Sequence, residues 1–226
     1  TFSSRGLGDV YKRQDDNHQS RIGLLSRNGD SNEVKWFEID RTYFFHTFNA
    51  HEDANGNVIV TAAAYGRLFD TDWNGPFTES PPQLTKWELN TKSGQATSTK
   101  LDDRAVEFPR INPRLVGKSN QYAYALASSN LKEPDFNEVV KYDFKNDTSE
   151  VYEYGPGKFG AEPVFVAAEG AKSEDEGYLL SLVYNQETDK SDLIILNAKE
   201  PKSGPLATVH LPQRVPHGFH GEWIKI

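Results

Sequence analysis

A hairpin that recurs at even intervals constrains the fold of this chain more than any other feature. Two short β runs flank a turn rich in Lys, Ser, Gly or Asn at residues 86–99, 140–152 and 193–209. The spacing of about 55 residues is close to one blade of a kelch-type β-propeller, a four-stranded sheet that ends in an outer hairpin. A β-sandwich would also contain alternating strands, but not this regular spacing, so the repeat favours the propeller.

The rest of the chain is also a series of short β runs separated by turn residues. No window shows a sustained helical period, which predicts an all-β chain. At about 55 residues for each blade, the length corresponds to roughly four blades. These are either part of a larger ring with open sheet edges or a complete four-bladed propeller. The predicted strands are 21–25, 33–39, 43–48, 57–65, 84–89, 96–101, 122–127, 138–144, 150–154, 164–167, 178–184, 192–196, 206–211 and 219–224.

Composition excludes several classes of function. The net charge is -8 and no basic stripe is present, so a nucleic-acid-binding surface is not expected. The longest apolar runs, such as 58–65 and 178–184, are too short to cross a bilayer. The chain has no cysteine, which excludes disulfides, zinc fingers and thiol nucleophiles.

The first fourteen residues show neither strand alternation nor a helical stripe. We interpret residues 1–14 as a non-native leader and residues 15–226 as the propeller portion. The chain also contains no methionine, and we expect it to be a fragment of a longer protein.

Two of the six histidines stand out by their surroundings. His46 and His220 lie among aromatic residues on predicted strands, where an imidazole needs a polar partner or a metal ion to offset its desolvation. Because the inner strands of a propeller face its axis, distant histidines can meet there. Two core histidines bonded to backbone carbonyls are the alternative. We interpret the others as structural or surface residues, with His217 beside His220; they are His18, His51, His210 and His217.

Six segments in chain order carry a resemblance to one known family: 20–38, 45–52, 106–112 with 122–125, 160–166, 193–199 and 215–221. They resemble sequence blocks of the carotenoid cleavage oxygenases. The resemblance implies a seven-bladed β-propeller with Fe(II) on its axis, held by four histidines. It also implies three glutamates that accept hydrogen bonds from the outer nitrogens of three of those rings, which would fix their tautomers. His46 and His220 match two iron ligands, and Glu107 and Glu162 match two of the glutamates; without the resemblance, both glutamates would be interpreted as solvated strand-end residues.

The activity that the resemblance implies is cleavage of a conjugated carbon–carbon double bond by O2, giving two carbonyl products. A carotenoid or apocarotenoid is the expected apolar polyene substrate. A lignostilbene-type substrate is second, because residues 101–110 resemble bacterial members of both kinds, and retinoid isomerisation is third. A metal-free propeller that acts as a binding module is the alternative from another class. Phe45, Phe48, Phe108 and Phe219 are predicted to line the substrate path, with core packing as their alternative role.

The resemblance also implies that two iron histidines and the third glutamate precede residue 1. Two imidazoles hold Fe(II) weakly, unless a carboxylate completes a two-histidine, one-carboxylate site. We therefore expect this chain alone to be inactive. We further expect a cytoplasmic location, with any peripheral membrane contact made by the missing half.

Overall fold

The computed structural model describes residues 15, 17–71, 79–132 and 135–225, so the interpretation of residues 1–14 as a leader lies outside the described residues. The described part is all-β, and its helical segments are three single 3-10 turns. No helix within these ranges is long and apolar enough to cross a membrane. The strands are β1 Arg21–Leu24, β2 Lys35–Glu38, β3 Tyr43–Glu52, β4 Val58–Tyr65, β5 Gln83–Leu89, β6 Ala96–Lys100, β7 Ala105–Arg110, β8 Tyr122–Ser128, β9 Glu138–Asp143, β10 Thr148–Glu153, β11 Lys158–Gly160, β12 Val164–Ala167, β13 Gly177–Asn185, β14 Lys190–Asn197 and β15 Pro205–His210.

The strands form four antiparallel sheets, as the repeat predicts. β1 and β2 form a two-stranded sheet, followed by the sheets β3-β4-β5-β6 and β7-β8-β9-β10. In the last sheet, β11 and β12 both pair with β13, which continues to β14 and β15. The predicted hairpins are confirmed as the outer pairs β5–β6, β9–β10 and β14–β15.

The core lies between the sheets rather than inside any one of them. On β8, Ala123, Ala125 and Ala127 pack toward the preceding sheet, whereas Tyr124 and Leu126 pack toward the following one. This period-2 division is what a strand buried on both faces requires. Apolar contact therefore holds the sheets face to face, in the manner of propeller blades.

The first strand of each of the three larger sheets is irregular. In β3 the register shifts between Phe44 and Thr47, and in β7 it shifts between Glu107 and Arg110. The third sheet has a break instead, because its first position is divided into β11 and β12 on either side of residues 161–163. Bulges and breaks of this kind change the direction in which side chains point.

The strand predictions fail in two places that matter for the site. β7 was not predicted, because Pro109 and a left-handed Phe108, with φ of 53°, interrupt its alternation within the bulge. The predicted strand 219–224 is wrong: these residues are exposed and irregular. The segment after β15 contains three residues that interrupt regular strands, Pro216, Gly218 and Gly221. It is attached to the last sheet by the contacts of Val215 and Gly221 with side chains, not by ladder hydrogen bonds.

A buried ion pair ties the second large sheet to the third. Lys141 of β9 donates to Asp175 at 2.7 Å and to the carbonyl of Lys199 at 2.8 Å. The side chains of Lys141 and Asp175 are 8% and 6% exposed. Next to this pair, the Glu174 carboxylate accepts the backbone N–H groups of Gln121 and Tyr122. The loop between β12 and β13 therefore clamps two neighbouring sheets.

We expect Asp175→Ala to destabilise the chain by roughly 3–5 kcal/mol, because it leaves the Lys141 ammonium buried without its counter-ion. The measurement is the free energy of unfolding from urea denaturation. Asp103→Ala removes an exposed ion pair with Lys100 and serves as the control, for which no measurable loss is expected. Equal, small effects of both variants would show that the buried pair does not hold the sheets together.

Candidate metal centre

Two histidines and two glutamates from four parts of the chain meet at one point. His46 lies at the bulge of β3, Glu107 at the bulge of β7, and Glu162 in the break between β11 and β12. His220 lies in the irregular segment after β15. The Nε2 atoms of the two imidazole rings are 3.2 Å apart, and each Nδ1 faces a carboxylate.

The first pair joins His46 to Glu107 across two sheets. The Nδ1 atom of His46 is 2.6 Å from Oε2 of Glu107, whose side chain is only 2% exposed. The Tyr65 hydroxyl donates to Oε1 at 2.7 Å, and the backbone N–H of Phe108 donates to Oε2 at 2.8 Å. Both carboxylate oxygens are therefore held from several directions, which fixes the orientation of the histidine ring.

Electrostatics reinforce this pair. The hydrogen bond to Glu107 raises the pKa of His46, against the opposing effect of partial burial. Burial, and then the charge of Glu107, raise the pKa of Tyr65, so its hydroxyl stays protonated and remains a donor. Glu107 thus favours a proton on Nδ1 of His46, leaving Nε2 to face His220.

The second pair joins His220 to Glu162. The Nδ1 atom of His220 is 3.2 Å from Oε1 of Glu162, and the N–H of Gly221 donates to Oε2 at 2.9 Å. Arg110 also donates to Oε2, at 3.0 Å. Glu162 is 6% exposed, whereas the His220 side chain is 56% exposed.

The two facing Nε2 atoms suit a shared cation. If both rings carry their proton on Nδ1, two lone pairs oppose each other at 3.2 Å and repel, unless a proton or a metal ion lies between them. Two nitrogens bound to one ion at about 2.1 Å and at roughly a right angle lie about 3 Å apart, so the spacing fits. No group of three or more metal-binding side chains occurs in the described ranges, and both glutamates are committed to the outer nitrogens. A two-histidine, one-carboxylate site is therefore not formed by the described residues.

Phe108 closes one side of the centre. Its ring centroid is 5.3 Å from that of His46 and 6.0 Å from that of His220. The left-handed backbone of Phe108 costs an aromatic residue on the order of 1–3 kcal/mol, and such strain is typical of sites whose function requires it. In this backbone conformation the Phe108 ring lies against both histidines.

The other predicted lining residues differ in their positions. Phe45 is half-exposed beside His46, with ring centroids 6.2 Å apart. Phe219 is exposed and lines an apolar cavity of about 380 Å³ that also contacts His220. Phe48 is buried between sheets against Tyr142, which favours packing as its role. A part in lining a substrate path stays a prediction for all four phenylalanines.

The remaining histidines lie away from the Nε2–Nε2 contact. The His210 ring contacts Asp192 on the exposed edge of the last sheet, and burial lowers the pKa of His51 in a polar crevice between two sheets. His217 packs against Tyr184 in the same cavity that His220 lines. His18 is exposed.

Sequence reasoning missed two residues of the centre, Tyr65 and Arg110. Arg110 lies within the same 106–112 block as Glu107, so its proximity could have drawn attention to it. Tyr65 ends an ordinary buried strand, and nothing in the sequence marks it as a partner of Glu107.

Comparison with known proteins supports the resemblance that the blocks indicate. A family model described as "RPE65: Retinal pigment epithelial membrane protein" matches residues 3–225. A "Carotenoid cleavage oxygenase" of Mycobacterium tuberculosis is 36% identical over 91% of this chain and 42% of its own length. An "Apocarotenoid-15,15'-oxygenase" of Synechocystis is 29% identical over 99% of this chain and 46% of its own length.

A solved structure shares the fold as well. The cobalt-substituted Synechocystis ACO superimposes with a TM-score of 0.85 and 27% identity, over 93% of this chain and 45% of that one. This chain spans less than half the length of the relatives it matches. Its four sheets correspond to part of a seven-bladed β-propeller.

Replacing Glu107 with Gln should lower the pKa of His46, because Glu107 is the main cause of its elevation. NMR titration of the ring protons measures this, and Glu162→Gln, which removes a smaller contribution, should lower the pKa less. Since the folded-state pKa is raised, the contact stabilises the fold below pH 6.5, and this contribution is lost as the pH rises through the raised value. An unchanged His46 pKa in Glu107→Gln would contradict the assigned hydrogen bond.

Proposed function

This chain belongs to the carotenoid cleavage oxygenase (RPE65) family, and on that premise we propose that it supplies two iron-binding histidines to a non-haem Fe(II) dioxygenase that cleaves a conjugated carbon–carbon double bond. The proposed substrate is a carotenoid or apocarotenoid, and the products are two carbonyl compounds. The observation that carries the proposal is the convergence of Nε2 of His46 and Nε2 of His220 at 3.2 Å, with a carboxylate on each Nδ1.

In this proposal the two imidazoles donate their Nε2 lone pairs to the metal ion. Glu107 and Glu162 accept the Nδ1 protons, which fixes the tautomers and makes the rings more basic toward the ion. When bound, Fe(II) supplies the binding and activation of dioxygen that side chains cannot provide. The negative charge of the two carboxylates also offsets the charge of a divalent ion.

The aromatic residues around the rings have a supporting role. Phe108 packs against both imidazoles, and Phe45 lies beside His46. Their apolar faces cover part of the imidazoles and offer a surface that suits a conjugated polyene. The relatives from Mycobacterium tuberculosis and Synechocystis are a carotenoid and an apocarotenoid oxygenase, which favours a substrate of that kind over a stilbene-type one.

We expect the isolated 226-residue chain to bind iron weakly and to lack oxygenase activity, because its centre provides two imidazoles and no third ligand among the described residues. The test is anaerobic titration with Fe(II), followed by measurement of oxygen consumption with an apocarotenal. Stoichiometric iron binding combined with turnover would contradict this expectation.

In a polypeptide extended to the length of the relatives, His46→Ala and His220→Ala should each lower iron content and reduce turnover by about a hundredfold or more. His210→Ala, on an exposed edge away from the centre, is the matched control and should retain both. Assays with an apocarotenal and a hydroxystilbene would identify the substrate class. An extended protein that is folded but free of iron would favour a binding module instead of an oxygenase.

A further inference from the structure

The Arg110 guanidinium connects β7 to the residues that hold His220. Its Nη2 donates to Oε2 of Glu162 at 3.0 Å and also to the carbonyl oxygen of Gly221. Its Nη1 lies 3.5 Å from Oε2 of Glu222. One side chain from a different sheet therefore reaches Glu162 and the two residues that follow His220, Gly221 and Glu222.

These contacts explain how Glu162 is aimed. Oε2 accepts from Arg110 and from the N–H of Gly221, whereas Oε1 faces Nδ1 of His220. A carboxylate that is 6% exposed needs a counter-charge and hydrogen bonds to offset its desolvation. Arg110 supplies the counter-charge and a hydrogen bond at Oε2. Oε1 therefore remains available to accept the hydrogen bond from Nδ1 of His220.

Arg110 also supports a segment that lacks regular pairing. Residues 211–225 form no strand, so ladder hydrogen bonds do not determine where the His220 ring lies. The bond from Arg110 to the Gly221 carbonyl fixes the backbone next to His220. The position of the ring therefore depends on side-chain contacts, among which those of Arg110 come from the inner strand of another sheet.

One strand thereby holds both histidine–carboxylate pairs. Glu107 contacts His46 directly, and Arg110, three positions later across the bulge, holds Glu162 against His220. Side chains of β7 therefore help to position both rings. The separation of the Nε2 atoms depends on this strand even though neither histidine is on it.

The two pairs differ in charge because of Arg110. Glu107 receives additional hydrogen bonds from neutral donors, the Tyr65 hydroxyl and the Phe108 N–H. Glu162 instead receives a hydrogen bond from the charged guanidinium of Arg110. The corresponding Nδ1–oxygen distances are 2.6 Å for His46 and 3.2 Å for His220.

We propose that Arg110 is a positioning residue of the metal centre: it orients Glu162 and anchors Gly221, so that the His220 ring keeps its proton on Nδ1 and turns Nε2 toward His46. The part of this inference that concerns metal affinity rests on the proposed function. The part that concerns the tautomer and position of the His220 ring does not.

The test compares Arg110→Met, Arg110→Lys and the control Arg114→Met, which removes an exposed arginine four residues away. Each variant of the 226-residue chain, labelled with ¹⁵N-histidine, is studied by NMR to measure the ring tautomers. Binding is then measured by titration with Co²⁺, whose visible absorption reports its ligands.

In Arg110→Met, the His220 signals should change from a single Nδ1–H tautomer to a mixture, while the His46 signals should change little. The dissociation constant for Co²⁺ should rise about tenfold or more. Arg110→Lys retains the charge beside Glu162 and should restore most of the His220 tautomer and of the affinity. Arg114→Met should match the unaltered chain in both measurements.

An unchanged His220 tautomer in a folded Arg110→Met chain would overturn the inference. If Arg110→Met fails to fold, Arg110→Gln, which removes the charge but keeps a polar side chain, is tested against the same criterion. If Co²⁺ does not bind to the unaltered chain but the His220 tautomer changes in Arg110→Met, the positioning role stands and the metal function of this chain fails.

Discussion

The hydrogen bond from each imidazole Nδ1 to a buried carboxylate is the interaction on which the candidate centre depends. A carboxylate on the outer nitrogen determines the tautomer and aims the lone pair of the inner nitrogen. His46 and His220 both have such a partner, in Glu107 and Glu162, and their Nε2 atoms consequently face each other at 3.2 Å. Without these contacts, either ring could rotate to satisfy its nitrogens elsewhere.

Buried carboxylates in turn require a framework that compensates them. Glu107 is held by a protonated tyrosine and a backbone N–H, and Glu162 is held by a guanidinium and a backbone N–H. These donors come from β4, β7 and the segment after β15, so the centre forms only when neighbouring sheets are correctly packed. The apolar contacts between sheets and the buried Lys141–Asp175 ion pair hold the sheets together, and they therefore also support the centre.

Irregular backbone marks the strand positions that carry His46, Glu107 and Glu162. β3 bulges at His46, β7 bulges after Glu107 with Phe108 left-handed, and the inner position of the last sheet breaks at Glu162. A regular ladder would keep the side-chain alternation that packs the sheets, and would leave no freedom to turn a polar residue toward a shared point. The sequence departs from ideal strand pattern where function requires it.

The sequence alone determined the architecture and four residues of the candidate centre. Evenly spaced hairpins at 86–99, 140–152 and 193–209 required stacked antiparallel sheets, because each alternating strand must bury its apolar side chains against a neighbour. The motif blocks indicated the family and singled out His46, His220, Glu107 and Glu162, although β7 was missed because Pro109 lies within it, and a strand was wrongly assigned to 219–224. Only the tertiary structure decided which glutamate faces which histidine and gave Tyr65 and Arg110 their roles. These pairings join residues 42–61 positions apart, and local sequence pattern carries no information about such contacts, which depend on how bulged strands of separate sheets pack together.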